Sequence, residues 1–326
     1  MGFRNLYIAV KKNKIPYYGL NIFRQAVPIF LYQKLLNSKL KTIRNYDKAA
    51  ILDRVNYYNK LQTVSAINDD AFAIKELKVF NSPKAYNFDL FEYWRYFKSN
   101  LKLNFLLGDI IHIEPKPTIQ KSRPISDDNQ NAILLKLDKK RHFLFVNEHK
   151  EFAAKKDLLI GRGVMSQPHR IRFMDMYFNN ALCDLGQVNK HGGNPDWLKP
   201  KINIIDHLDY KFILSLEGND VATNLKWIMS SNSIAVMPKP KYETWFMEGR
   251  LIANHHYIQI KDDFTDLEEK LRHYINNPDK AQAIIKNANA HVKQFLNKQQ
   301  EDLISLLVLE KYFYYTGQCD SITKLA

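Results

Sequence analysis

Cysteine is nearly missing: Cys183 and Cys319 are the only two in 326 residues, too few for a disulfide framework and without metal-ligand spacing. No run of about 18 apolar residues occurs, which argues against a membrane-spanning helix. The opening MGFRNL lacks the basic, apolar, small-residue order of a signal peptide and the Ser/Thr of a myristoylation site, so neither export nor a lipid anchor is expected. A reducing cytoplasm fits. No HExxH, no DxD triplet and no Walker lysine after a glycine loop is found, which leaves a metal ion unexpected. Acidic residues are also short, at 34 against 48 Lys/Arg, for a net charge of +14.

That shortage is concentrated. Residues 1–60 hold twelve Lys/Arg and two acids, Asp47 and Asp53, so most of the excess charge sits at one end. Within it, residues 20–44 (LNIFRQAVPIFLYQKLLNSKLKTIR) interleave Ile22, Phe23, Val27, Ile29, Phe30 and Leu31 with cations. This is the pattern of a helix lying on an anionic membrane surface, and residues 11–44 are the expected contact. A solvated helix over a domain core is the plainer reading. Nucleic acid is disfavoured because aromatic-plus-glycine signatures of RNA modules are absent.

With 45% apolar content, the chain is long enough for two core-bearing domains. Residues 1–100 read as mostly helical. From Asp157 the pattern becomes alternating strands and helices, which argues a parallel sheet covered on both faces. Residues 157–164 read as a strand ending in Gly-Arg-Gly. Residues 210–216 read as another, closed by Glu217-Gly218-Asn219-Asp220, and from Val221 the apolar positions recur at helical spacing until a third strand from Ser233. The expected domains are 1–150, on the acceptor side with the basic helical N-terminus, and 151–326, on the donor side with the C-terminal helices.

Ligands of open α/β sheets sit at the carboxyl ends of strands, where a helix N-terminus offers free N–H groups. Gly218, Asn219, Asp220, Val221, Ala222 and Thr223 therefore form a candidate phosphate seat. Arg162, flanked by Gly161 and Gly163, offers a planar fork suited to phosphate, and Arg170 a second positive charge near the next helix start. Glu243, early in an expected helix, has a carboxylate suited to two ribose hydroxyls. On the acceptor side stand Lys121, Ser122 and Arg123. Asp109 and Glu114 are the candidate bases, with Asp127, Asp128, His112, His142 and His207 as further options.

KSRPI (121–125), NQNAILLKLDKKRHF (129–143), GRG (161–163), LSLEGNDVATNLKWIMSSNSIAVM (214–237), Glu243 with HHYI (255–258), and DLEEKL (266–271) occur in that order. Together they resemble glycosyltransferase family 90, and within it the bacterial lipopolysaccharide core enzymes. The resemblance implies an α/β GT-B-like fold of two Rossmann-like domains with a cleft between them. It further implies an inverting, metal-independent hexosyl transfer from a UDP-sugar to a lipid-linked glycan, with no cofactor, at the inner face of the cytoplasmic membrane. It assigns Arg162, Gly163, Arg170 and residues 218–223 to the diphosphate side, Glu243 to the ribose and Asp109 to the base. Animal members carry an arginine where Asn224 stands, so Lys226 is expected to share in neutralising the diphosphate. Two other readings are a protein O-glycosyltransferase of the same family and a non-catalytic basic adaptor.

Overall fold

The structure is a computed structural model that describes residues 14–320. It divides into two units, one made of His142–Lys241 and Glu248–Gln294, the other of residues 14–141, Tyr242–Met247 and residues 295–320.

The first unit is built on one sheet. Its strands are β1 (Lys156–Gly163), β2 (Cys183–Gln187), β3 (Tyr210–Leu214), β4 (Ile234–Met237) and β5 (Ile258–Gln259). All are parallel, in the order β2-β1-β3-β4-β5. Strands β3 and β4 are buried at every position, as expected of strands covered on both faces. The helices that alternate with them are α1 (Pro168–Tyr177), α2 (Leu225–Met229), α3 (Leu267–Asn276) and α4 (Pro278–Lys293). Phe173 and Met174 of α1 and Leu267 and Leu271 of α3 join Leu159, Leu185, Phe212 and Val236 of the strands in one core. The strand order reverses direction at β1. With right-handed crossovers, that reversal sends the connections from β1 and from β3 to opposite faces and opens a crevice at their carboxyl ends.

The other unit has no second sheet of this kind among the described residues. Its strands form three two-stranded pairs, and helices dominate. The expected Rossmann-like first domain is thus corrected to a mainly helical unit. The division of the chain also differs from the expected 1–150 and 151–326. Physically, Glu301 of the last helix (Lys298–Tyr315) is buried and ion-paired with Arg54 at 2.6 Å and Lys136 at 2.8 Å, and it accepts from Trp245 Nε1 at 2.7 Å. Trp245 also stacks on Tyr58, with ring centroids 3.8 Å apart. Separating these groups would leave buried charges unpaired, so residues 242–247 and the last helix stay with residues 14–141.

The helices Lys14–Ala26 and Ile29–Leu40 belong to this unit and are laid on it with polar side chains inward. Tyr17 Oη donates to Asp89 Oδ1 at 2.8 Å, Asn21 is buried, and Arg24 pairs with Glu92 at 2.8 Å. Ile15, Ile22, Phe23, Phe30, Leu31 and Leu35 are exposed. Residues 11–13 of the expected membrane contact lie outside the described residues. Among the described residues, no helix is long and apolar enough to cross a membrane.

Candidate functional site

Between the carboxyl ends of β1 and β3, at the point of reversal, lies an open pocket. It is lined by Gly161, Arg162, Gly163, Met165, Arg170, Leu214, Leu216, Thr223 and Asn224. The two glycines that close β1 differ in what demands them. A Cβ on Gly161 would meet Leu185 Cδ2 at 2.9 Å and Leu214 Cδ2 at 3.1 Å, so these side chains would have to shift to admit it. On Gly163 the nearest atom is Met165 Cε at 3.5 Å, an ordinary contact. The protein itself leaves room there, and the bare backbone is open to a ligand.

Arg170, in the first turn of α1, is a positive charge of this pocket with no carboxylate partner. It donates through Nε to the carbonyl of Glu217 at 2.9 Å, through Nη2 to that of Leu216 at 2.7 Å and through Nη1 to that of Val164 at 3.1 Å. Carbonyls fix the fork but do not neutralise it. Burial lowers its pKa from the ordinary arginine value, with no carboxylate opposing the shift. A Cβ on Gly218 would lie 3.4 Å from Nη2, so the turn after β3 is close to this guanidinium.

Arg162 lines the same pocket but has a partner. Its Nη2 donates to Asp184 Oδ1 at 2.7 Å and its Nη1 to the carbonyls of Asp184 at 2.7 Å and Gly161 at 3.0 Å. Lys199 and Tyr210 also donate to Asp184, at 3.0 and 2.8 Å. Burial raises the Asp184 carboxyl, but the donors of Arg162, Tyr210 and Lys199 outweigh it and hold the pKa at about 2. Sequence reading overlooked Asp184, whose only signal is a carboxylate inside a short strand beside a strand-borne arginine.

The seat after β3 is looser than expected. Helix α2 has five residues and starts at Leu225, not Val221, because Val221 and Ala222 are buried in the loop. So short a helix concentrates little dipole. Asn219 accepts from Gln167 Nε2 at 2.7 Å, Gly218 N donates to the carbonyl of Asp220 at 2.9 Å, and of residues 218–223 only Thr223 lines the pocket. Asn224 lines it too, its side chain bonded to the Leu214 carbonyl at 2.9 Å and Ser215 Oγ at 3.1 Å. Lys226 does not. It is fully buried and pairs with Glu248 at 2.5 Å, so its charge is met within the core.

Glu243 and the acceptor-side residues lie in the other unit. Residues Tyr242–Thr244 form a short strand, not a helix, antiparallel to Ser122–Pro124 with Glu243 opposite Arg123. Glu243 is 2% exposed, accepts from Arg123 Nε at 2.7 Å and is bonded by Tyr57 Oη. Arg123 also donates to the carbonyls of Ala132 and Tyr57 at 2.8 and 2.7 Å. The pair is buried within this unit, and Glu243 does not line the pocket at the sheet. Ser122 Oγ donates to the Ile110 carbonyl at 3.0 Å. Asp109 is bonded by Lys121 and lies 3.0 Å from Arg141 Nη2. Burial works to raise its pKa, but Lys121 and Arg141 prevail and keep it below the ordinary carboxylate range. Among the described residues no cluster of three His, Cys, Asp or Glu side chains is arranged to hold a metal ion.

Comparison with known proteins bears on this pocket. The profile of glycosyl transferase family 90 matches residues 194–312, a span that includes the turn after β3 and Glu243 but neither Arg162 nor Arg170. O-glucosyltransferase LpsA of Dichelobacter nodosus is 44% identical over 266 residues, covering 82% of this chain and 83% of the relative. Protein O-glucosyltransferase 3 of Rattus norvegicus is 26% identical over 112 residues, 34% of this chain and 22% of the relative. The extent of the first match shows that the chain belongs to glycosyl transferase family 90 and is a glycosyltransferase.

Proposed function

We propose that this enzyme moves glucose from UDP-glucose to a hydroxyl of a lipid-linked glycan of the lipopolysaccharide core, inverting the anomeric carbon, with no metal ion in the step. The sheet-bearing unit is the donor half of the enzyme. The observation that carries the reading is Arg170, a guanidinium without a counter-charge in a pocket at the switch point of a parallel sheet. Both relatives are described as O-glucosyltransferases, which supports glucose as the sugar and oxygen as the acceptor atom.

In this mechanism the acceptor oxygen attacks the anomeric carbon opposite the nucleotide, and the bond from that carbon to the diphosphate oxygen breaks. Its electron pair leaves with UDP. Charge therefore grows on the diphosphate in the transition state, and donors already fixed there act where it develops. Arg170 is such a donor, held by three carbonyls before the sugar arrives. The open main chain at Gly163 allows close approach. The acceptor proton goes to a carboxylate, for which Asp109 is the proposed base. To serve, it must exchange its Lys121 and Arg141 partners for the acceptor hydroxyl, since a carboxylate held by two cations is a weak base.

The cationic N-terminal helices support peripheral docking at the inner face of the cytoplasmic membrane. Between residues 14 and 46 there are six Lys/Arg and no acid, and Ile22 and Phe23 of one helix and Phe30, Leu31 and Leu35 of the other are exposed. The test is release of UDP from UDP-glucose by the purified chain, with and without lipopolysaccharide core acceptor. Acceptor-stimulated release that persists in a chelator is expected. Absence of any turnover, or turnover only with a folded protein as acceptor, contradicts the assignment.

A further inference from the structure

A second arginine carries a charge that nothing in its surroundings answers. Arg95 follows the helix Lys84–Trp94 and is 4% exposed, yet its Nε and Nη1 are buried with no hydrogen-bond partner. The guanidinium carbon lies over aromatic rings, 3.9 Å from the centroid of Tyr32 and 5.4 Å from that of Tyr96. Stacking on ring faces stabilises the cation but leaves its N–H groups unsatisfied.

Around it is a pocket lined by Arg24, Lys39, Arg95 and Lys298 together with Glu92, Asp302 and aromatic side chains. Both acids are taken. Glu92 is paired with Arg24 at 2.8 Å and with Lys139, while Asp302 is paired with Lys298 at 2.5 Å and accepts from Tyr93 Oη at 3.0 Å. Lys39 rests over the Tyr96 ring at 5.3 Å. Arg95 and Lys39 are left as surplus positive charge, one of them buried with open donors. A fork of unsatisfied N–H groups beside an ammonium is the donor set that a tetrahedral oxyanion matches.

We propose that this pocket is a second anion site, remote in function from the donor pocket, that seats the phosphate of a membrane lipid. Two cations of the wall, Arg24 and Lys39, come from two helices that also expose Ile22, Phe23, Phe30 and Leu35. Those side chains enter the apolar edge of a leaflet while the pocket takes a headgroup phosphate at the same surface. The surface as source of the phosphate rests on the docking reading above; the anion site itself rests on Arg95.

The test uses the full chain and phosphatidylcholine vesicles, plain or doped with phosphatidic acid, read by co-sedimentation, with thermal melting and UDP-glucose hydrolysis measured in parallel. Wild type is expected to bind doped vesicles and not plain ones. Arg95→Met is expected to bind them about tenfold more weakly, with a melting temperature equal to wild type or higher because a buried unpaired charge is gone. Its hydrolysis of UDP-glucose stays at the wild-type rate, which separates a failure here from a failure of the glucosyltransferase reading. Should Arg95→Met not fold, Lys39→Gln at the rim is expected to weaken vesicle binding by itself. Wild-type vesicle binding by Lys39→Gln together with a lowered melting temperature for Arg95→Met would make Arg95 a structural stacking residue and overturn the proposal. So would a rise in wild-type melting temperature with inorganic phosphate as large as that with doped vesicles, which would mark a site for the free ion.

Discussion

Arg170 and Arg123 are both held by main-chain carbonyls, yet their surroundings differ by one carboxylate. Arg123 has Glu243 at 2.7 Å and is sealed between two strands; Arg170 has three carbonyls, no acid and an open pocket. A buried cation whose counter-charge comes from the chain is complete without a ligand and holds elements together. One whose fork is oriented but not neutralised is prepared for an anion that arrives from outside. The same distinction sorts other cations: Lys226 with Glu248 falls on the structural side and Arg95 on the other, while Arg162 pairs with Asp184 yet lines the pocket with its Nε unbonded.

Breaking the complete pair has the largest expected effect. Glu243→Gln strands the Arg123 charge in the interior and is expected to lower unfolding free energy by about 3–5 kcal/mol in urea melts, with UDP affinity unchanged. Arg170→Met is expected to do the reverse: a melting temperature near wild type and a fall in kcat/KM of about 10²- to 10³-fold, as for removal of one preset donor at a developing oxyanion. If Arg170→Met unfolds the protein and Glu243→Gln abolishes donor binding, the comparison is inverted.

The two glycines of β1 sharpen it further. Gly161→Ala is expected to cost about 1–3 kcal/mol of stability through contact with Leu185 and Leu214. Gly163→Ala is expected to leave stability alone and raise KM for the donor, because the conflict arises only with a ligand in place; equal effects of both substitutions on melting would remove the distinction. The smallest effect concerns pH. Asp184 is held at about 2 against an ordinary 3.8, so the stability it contributes is present above about pH 4 and disappears as pH falls through about 2. The stability gap between wild type and Asp184→Asn, measured by urea melts across that range, is expected to close at its acid end.

The sheet was legible because its strands are buried on both faces and read as short apolar runs: Tyr210–Leu214 and Ile234–Met237 fall within a residue or two of the expected strands. So was the place of the pocket, since Gly161-Arg162-Gly163 closes a strand and Arg170 opens a helix. What misled was partnership over distance. Glu243 finds Arg123 from 120 residues away, Arg162 finds Asp184 on the neighbouring strand, and Lys226 finds Glu248 from 22 residues away. Local pattern shows that a residue is charged; only the fold shows whether that charge is already met. The start of α2 was misplaced for a related reason, since Val221 and Ala222 are apolar because they pack, not because they are helical.

The central claim is that the donor diphosphate is received at the switch point by Arg170. A crystal structure of the complex with UDP tests it most directly. The account predicts diphosphate oxygens at about 3 Å from the Arg170 fork, beside the main chain of Gly163. A nucleotide bound with its diphosphate away from Arg170 would contradict it.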